Sequence, residues 1–185
     1  TTKPSGLSLG IQSSASNPTL ERVRTTLPVG MEINPAVANG LTTCSTALID
    51  AGGAGCPASS EQGTVSLTTP LLPTVQTGNV YLENPGATAA TRYKLAIVIH
   101  LPGKDLILHG GATVDGSSDH GGGVGSVDTG TGQVVADFDG IPDLGFTDLQ
   151  INFDTGDRAL LTNPRACGTH TVNAAITPHG GGTDA

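Results

Sequence analysis

The densest grouping of metal-type ligands in the chain is Asp115, Asp119, His120 and Asp128, set in a Gly- and Ser-rich stretch. Oxygen-rich glycine loops are what Ca²⁺ needs for wrapping. The spacing is not that of an EF-hand, which demands acids at alternate positions and a closing Glu, and the nonapeptide calcium repeat is absent as well. A solvated loop is the default reading, and calcium is the one ion the stretch would suit. His100, His109, His120, His170 and His179 add imidazoles of the kind that bind zinc. His100 and His109 fall on adjacent expected strands, where they would face one another across a hairpin. Catalytic zinc needs three protein ligands and an open position, so plain strand residues are expected instead.

Other chemistries fail on context. The Gly-x-Ser-x-Gly signature of a serine hydrolase is absent, and Gly125-Ser126-Val127-Asp128 does not replace it. Glu61 with Asp50, or Asp137 with Asp139, would supply a glycosidase acid and base, but such sites lie in clefts lined by aromatics. With no Trp, two Tyr and three Phe, that lining is missing. Gly121 to Gly125 lacks the Lys-Ser or Lys-Thr of a phosphate loop. Asp154-Thr155-Gly156-Asp157 matches an aspartic-protease triplet and equally a tight turn, and the turn is expected. Lys3, Lys94 and Lys104 invite an isopeptide cross-link with Asn, yet nothing marks one Lys, Asn and acid as neighbours. The chain is not expected to be an enzyme.

Cys44 and Cys56 enclose a short Gly- and Ala-rich loop and are expected to form a local disulfide, which implies an oxidising compartment. A zinc site would want a second Cys or His pair nearby, and none is present. Cys167 is left over.

The elements that hold these residues read as strands. Leu7, Leu9 and Ile11 alternate with small or polar residues, and Leu20 to Leu27 continues the period after a Ser-Asn-Pro turn. Asn34-Pro35-Ala36-Val37-Ala38 has a capping Asn and a Pro at the first helical position, so a helical turn is expected there, with another at Pro57 to Glu61. Gly63 to Thr68 and Val80 to Glu83 read as strands. Tyr93, Leu95, Ile97, Ile99 and Leu101 form an unbroken period-two stripe, the mark of a central strand. After Pro102-Gly103-Lys104-Asp105, Leu106 to Val114 is the expected antiparallel partner. Val134 to Phe138, Leu149 to Phe153 and Thr169 to Thr177 supply three more strands.

Residues 1–178 thus read as a single all-β module, a two-sheet antiparallel sandwich of about nine or ten strands with one or two short helical turns. The same alternation allows a barrel. Residues 179–185 are expected to be a flexible tail.

Composition agrees. Only 13% of residues are charged, against roughly 25% in an ordinary domain, and 27 Gly with 12 Pro suit turns and oppose long helices. A net charge of −8 argues against nucleic acid, which is gripped by clustered Lys and Arg. No apolar run reaches the roughly 20 residues that span a bilayer, so membrane insertion of this chain is not expected. Thr1-Thr2-Lys3-Pro4 reads as a mature or cloned boundary, with any export signal or anchor outside the chain.

Three blocks carry a resemblance. They are Leu27-Pro28-Val29-Gly30-Met31 through Asn34-Pro35 with Cys44, then Cys56-Pro57-Ala58-Ser59-Ser60-Glu61-Gln62-Gly63-Thr64, and last Gly140-Ile141-Pro142-Asp143-Leu144-Gly145-Phe146-Thr147-Asp148-Leu149 with Asn163-Pro164 and Cys167-Gly168. Over roughly residues 20 to 178 the chain resembles the β-rich repeat modules of large secreted actinobacterial surface proteins. The resemblance implies export, a secreted or cell-surface location and no catalytic motif. It also implies a partner cysteine for Cys167 beyond this chain, while a thiol free for pairing between molecules is an equal reading of the residues and a buried, inert thiol a third.

The expectation is a structural or assembly module whose partners are sister modules or copies of itself, without cofactor, calcium aside. The alternative is an adhesin or carbohydrate-binding module recognising a surface glycan through a calcium-ordered loop from Asp115 to Gly132.

Overall fold

A computed structural model of the chain describes residues 3–14, 17–34, 42–85, 93–114, 132–157 and 159–180. In chain order the elements are β1 (Pro4–Ser5), β2 (Ser8–Gln12), β3 (Leu20–Thr26), β4 (Glu32–Ile33) and a single helical turn α1 (Thr46–Asp50). A 3₁₀ turn (Ala58–Ser60) leads into β5 (Glu61–Thr68), followed by β6 (Gln76–Glu83), β7 (Tyr93–Leu101) and β8 (Lys104–Val114). The described chain closes with β9 (Val134–Asp139), β10 (Asp148–Phe153), β11 (Leu161–Thr162) and β12 (Asn173–Pro178).

The protein is all-β, built from two antiparallel sheets as the alternation predicts. The smaller has three strands, in the order β1-β11-β4, and the larger has nine, in the order β12-β3-β9-β8-β7-β6-β5-β10-β2. The large sheet curls into a half-barrel. Its middle is a meander in which β5 to β9 lie side by side in sequence order, with β7 at the centre.

The β7 stripe explains that position. Leu95, Ile97 and Ile99 are buried on the concave face, and Ala96 and Val98 are buried on the convex face, so the strand is apolar on both sides. Each such Leu, Ile or Val side chain taken out of water contributes on the order of 1.5–3 kcal/mol. The β7–β8 hairpin has the expected partners, with Leu101 opposite Lys104. Pro102 and Gly103, whose φ is 84°, form the connecting turn, where a positive φ favours glycine. Gly78 of β6 allows another close approach, because a Cβ there would run into the Val98 carbonyl oxygen.

Three apolar clusters follow from the curl. One lies under the small sheet, joining Leu27, Met31, Leu160 and Leu161 to Leu82, Leu95 and Val134. A second fills the opposite end of the concave face around Val65, Val80, Ile97, Ile99 and Phe146. The third, on the convex face, packs Cys44 and Ile49 on Tyr81, Ala96 and Val98.

Some expectations take a different form. The first two strands are not neighbours: β2 pairs with β10 and β3 pairs with β9 and β12, because periodicity identifies the face a strand buries and leaves its partner open. Of the helical turn expected at Asn34 to Ala38, residues 35–38 lie outside the described residues, and the Asn34 side chain donates to the Ala159 carbonyl at 2.8 Å. The turn expected at Pro57 to Glu61 is the 3₁₀ turn, whereas α1, capped by the Ser45 side chain accepting from the Leu48 amide, has no counterpart among the expected elements. His179, expected in a flexible tail, is held: its backbone N–H donates to the Thr19 carbonyl and its Nε2 lies 2.8 Å from the Ile141 carbonyl. Residues 181–185 lie outside the described residues.

Candidate functional site

Cys44 and Cys56 are disulfide-bonded, with Cα atoms 5.2 Å apart. Their loop carries α1, which it lays on the convex face of β6, β7 and β8. Cys44 is stitched to that face by its backbone: its N–H donates to the Leu82 carbonyl, and its carbonyl accepts from Asn84. Cys167 is an exposed free thiol.

Beneath α1 lies a polar cluster. Glu83 is fully buried, and its carboxylate accepts from Thr46 Oγ1 and from Lys94 Nζ at 2.9 Å, with His109 Nδ1 at 3.0 Å. The other ring nitrogen of His109, Nε2, is 3.0 Å from Asp50 of α1. With a carboxyl group facing each ring nitrogen, the protonated ring, which donates from both, is the form these partners favour. Burial by itself pulls the His109 pKa down, but the hydrogen bonds and charges of Glu83 and Asp50 prevail and raise it. For Glu83 burial pushes upward, yet bonds from Thr46, His109 and Lys94 outweigh it and hold the carboxyl below its ordinary value. Every polar side chain here is occupied by another, so the cluster fastens α1 to the sheet.

The remaining candidates are dispersed. Asp115, Asp119, His120 and Asp128, and the glycine run 121–125, lie outside the described residues. Among the described residues no three His, Cys, Asp or Glu side chains are gathered to hold a metal ion. His100 does not face His109: it bonds Asp105 at 2.8 Å near the hairpin turn, while His109 stands opposite Ala96. Asp50 and Glu61 go to different partners, His109 and Asn79. Asp137 is buried and paired with Arg22, with Nε at 2.8 Å. Asp154 to Asp157 lies in a turn, with Gly156 at φ 88°. Lys94 is tied to Glu83.

The feature that sequence reasoning missed is on the concave face. The curl leaves an apolar cavity of about 330 Å³ whose floor includes Ile97 of β7 and Phe138 of β9. Its two sides are the ends of the sheet: Leu9 and Ile11 of β2 on one, Ala174 and Ile176 of β12 on the other. A second cavity of about 400 Å³ is again lined by both edges, through Ile11 and Gln12 and through Ala174, Ile176 and Pro178. β2 and β12 thus flank a slit, and among the described residues neither pairs with a strand on that side. Leu9, Ile11, Val23, Leu149, Ile151 and Ile176 are only half-buried around it. Because neighbours alternate in direction through nine strands, β2 and β12 run parallel to each other.

Fold and site together define an all-β module with a strapped convex face and an open concave seam. No protein-family model, no curated protein and no solved structure matches the chain. Among the described residues no helix is long and apolar enough to cross a membrane.

Proposed function

We propose that the chain is a non-catalytic assembly module of an exported cell-envelope or extracellular protein, joining sister modules or copies of itself through its open sheet edges. The observation that carries this reading is the pair of edges, β2 and β12, unpartnered among the described residues, beside an apolar cavity. An edge strand offers a row of free backbone donors and acceptors, and proteins that must stay apart usually blunt it with Lys, Pro or a bulge. β2, Ser-Leu-Gly-Ile-Gln, has none of these. β12 has only Pro178 and a register shift at its last residue. The Cys44–Cys56 disulfide fits an oxidising compartment, and the resemblance to secreted surface modules points the same way.

The glycan-binding alternative rests on the stretch 115–131, which lies outside the described residues. A melting temperature that rises with calcium and falls with chelator would be its signature.

Size-exclusion chromatography with light scattering, over a range of concentrations and with or without reductant, tests the assembly reading. Concentration-dependent assemblies are expected. Their loss in reductant would assign the joint to Cys167 rather than to the edges. A monomer under every condition would overturn the reading.

A further inference from the structure

We propose that the slit between β2 and β12 accepts one further strand from a neighbouring polypeptide, which closes the half-barrel; the proposal rests on the assembly reading and gives it a joint. Strand direction is the first argument. An added strand antiparallel to β2 is also antiparallel to β12, because those two run the same way. In direction, one strand therefore suits both edges and would complete an alternation that the nine described strands leave broken. An even number of antiparallel strands closes without a parallel seam.

Backbone chemistry decides the class of occupant. A free acyl chain would fill the apolar cavity, but it offers neither donors nor acceptors to the backbone amides and carbonyls of the two edges. A peptide supplies both the side chains and the ladder. β2 has five residues and β12 has six, so a segment of that length matches the seam.

Charge and pattern set the chemistry of the segment. The chain carries a net charge of −8, yet β2 and β12 contain no charged residue, and the cavity lining is aliphatic and aromatic with Thr25 and Gly10. The slit is a neutral seam in an acidic molecule, so it takes a neutral strand and rejects an acidic one. Inside it, Leu9, Ile11, Ala174 and Ile176 point at the cavity. The incoming strand places an aliphatic residue inward at every second position and small polar residues outward.

A capped peptide copying residues 5–14, Ser-Gly-Leu-Ser-Leu-Gly-Ile-Gln-Ser-Ser, has this pattern and no charge. The test adds it in excess to the intact chain and follows backbone amide exchange by NMR together with the melting temperature. The expected result is at least a tenfold slowing of exchange in both β2 and β12 and a higher melting temperature, with neither produced by the same peptide carrying Leu9→Asp and Ile11→Asp. Slowing at one edge alone would overturn closure. No effect of the peptide on a chain that still self-associates would sink the strand acceptor and leave the assembly reading standing; no effect on a chain that is always a monomer would sink both. Dodecanoate raising the melting temperature where the peptide does not would reassign the cavity to an acyl chain.

Discussion

His109 Nδ1 lies 3.0 Å from a carboxylate oxygen of Glu83, a side chain with no exposed surface. A buried anion is stable only when paired and hydrogen-bonded, and His109, Lys94 and Thr46 provide that on a face where the apolar packing of α1 is small. Truncating Glu83 strands His109 and Lys94 over a hole. Glu83→Ala is expected to destabilise the fold by about 3 kcal/mol, and Glu83→Gln by less, measured by chemical denaturation.

The same cluster sets a pH dependence. His109 has a raised pKa in the fold, so its contribution is complete below the unfolded imidazole value of about 6.5 and is lost as pH rises through the higher folded value. Glu83 has a lowered pKa, so its contribution is present above the unfolded value of about 4.3 and is lost as pH falls through the folded value. Stability should hold between those limits and decline on the alkaline side. His109→Gln should flatten that alkaline decline, and thermal melts from pH 5 to 9 would show whether it does.

Reduction of the Cys44–Cys56 bridge should cost about 2–4 kcal/mol, since a loop of this size loses roughly that much closure entropy when cross-linked in the unfolded chain. The sheet itself should survive, with far-ultraviolet dichroism unchanged at room temperature. Loss of the β signal on reduction would mean that the strap organises the sheet rather than decorating it.

Two glycines make a paired test of close approach against backbone strain. Gly78→Ala drives a methyl into the Val98 carbonyl and should destabilise by about 3 kcal/mol. Gly103→Ala meets no atom within 4 Å and pays only for φ 84°, about 1 kcal/mol. Equal effects would contradict the β6–β7 spacing.

Much of this was legible in the residues. The Tyr93 to Leu101 stripe announced a central strand, and its two-faced burial is why nearly every position in it is apolar. The 12-residue separation of Cys44 and Cys56 announced their bond. The polar cluster was not legible, because Asp50, Glu83 and His109 come from three elements and meet only when α1 lands on β6 and β8. A hint was present in Ser45, a capping residue before Leu48 and Ile49, but the Gly- and Ala-rich loop masked it. Nor did alternation in Leu7, Leu9 and Ile11 reveal that β2 would end at a sheet edge, since the partner, β10, lies far along the chain.

The order of strands in the large sheet also implies an order of events. The meander from β5 to β9 pairs neighbours in sequence, so its loops close cheaply and early. β2 joins β10, and β3 joins β9 and β12, only after more than a hundred residues of chain have been brought back, as Leu9 opposite Ile151 and Val23 opposite Phe138 require. On this ordering the molecule is expected to zip from its centre outward. Its two flanks would then dock last and come loose first, which would place the open seam where the native sheet yields most readily to local unfolding.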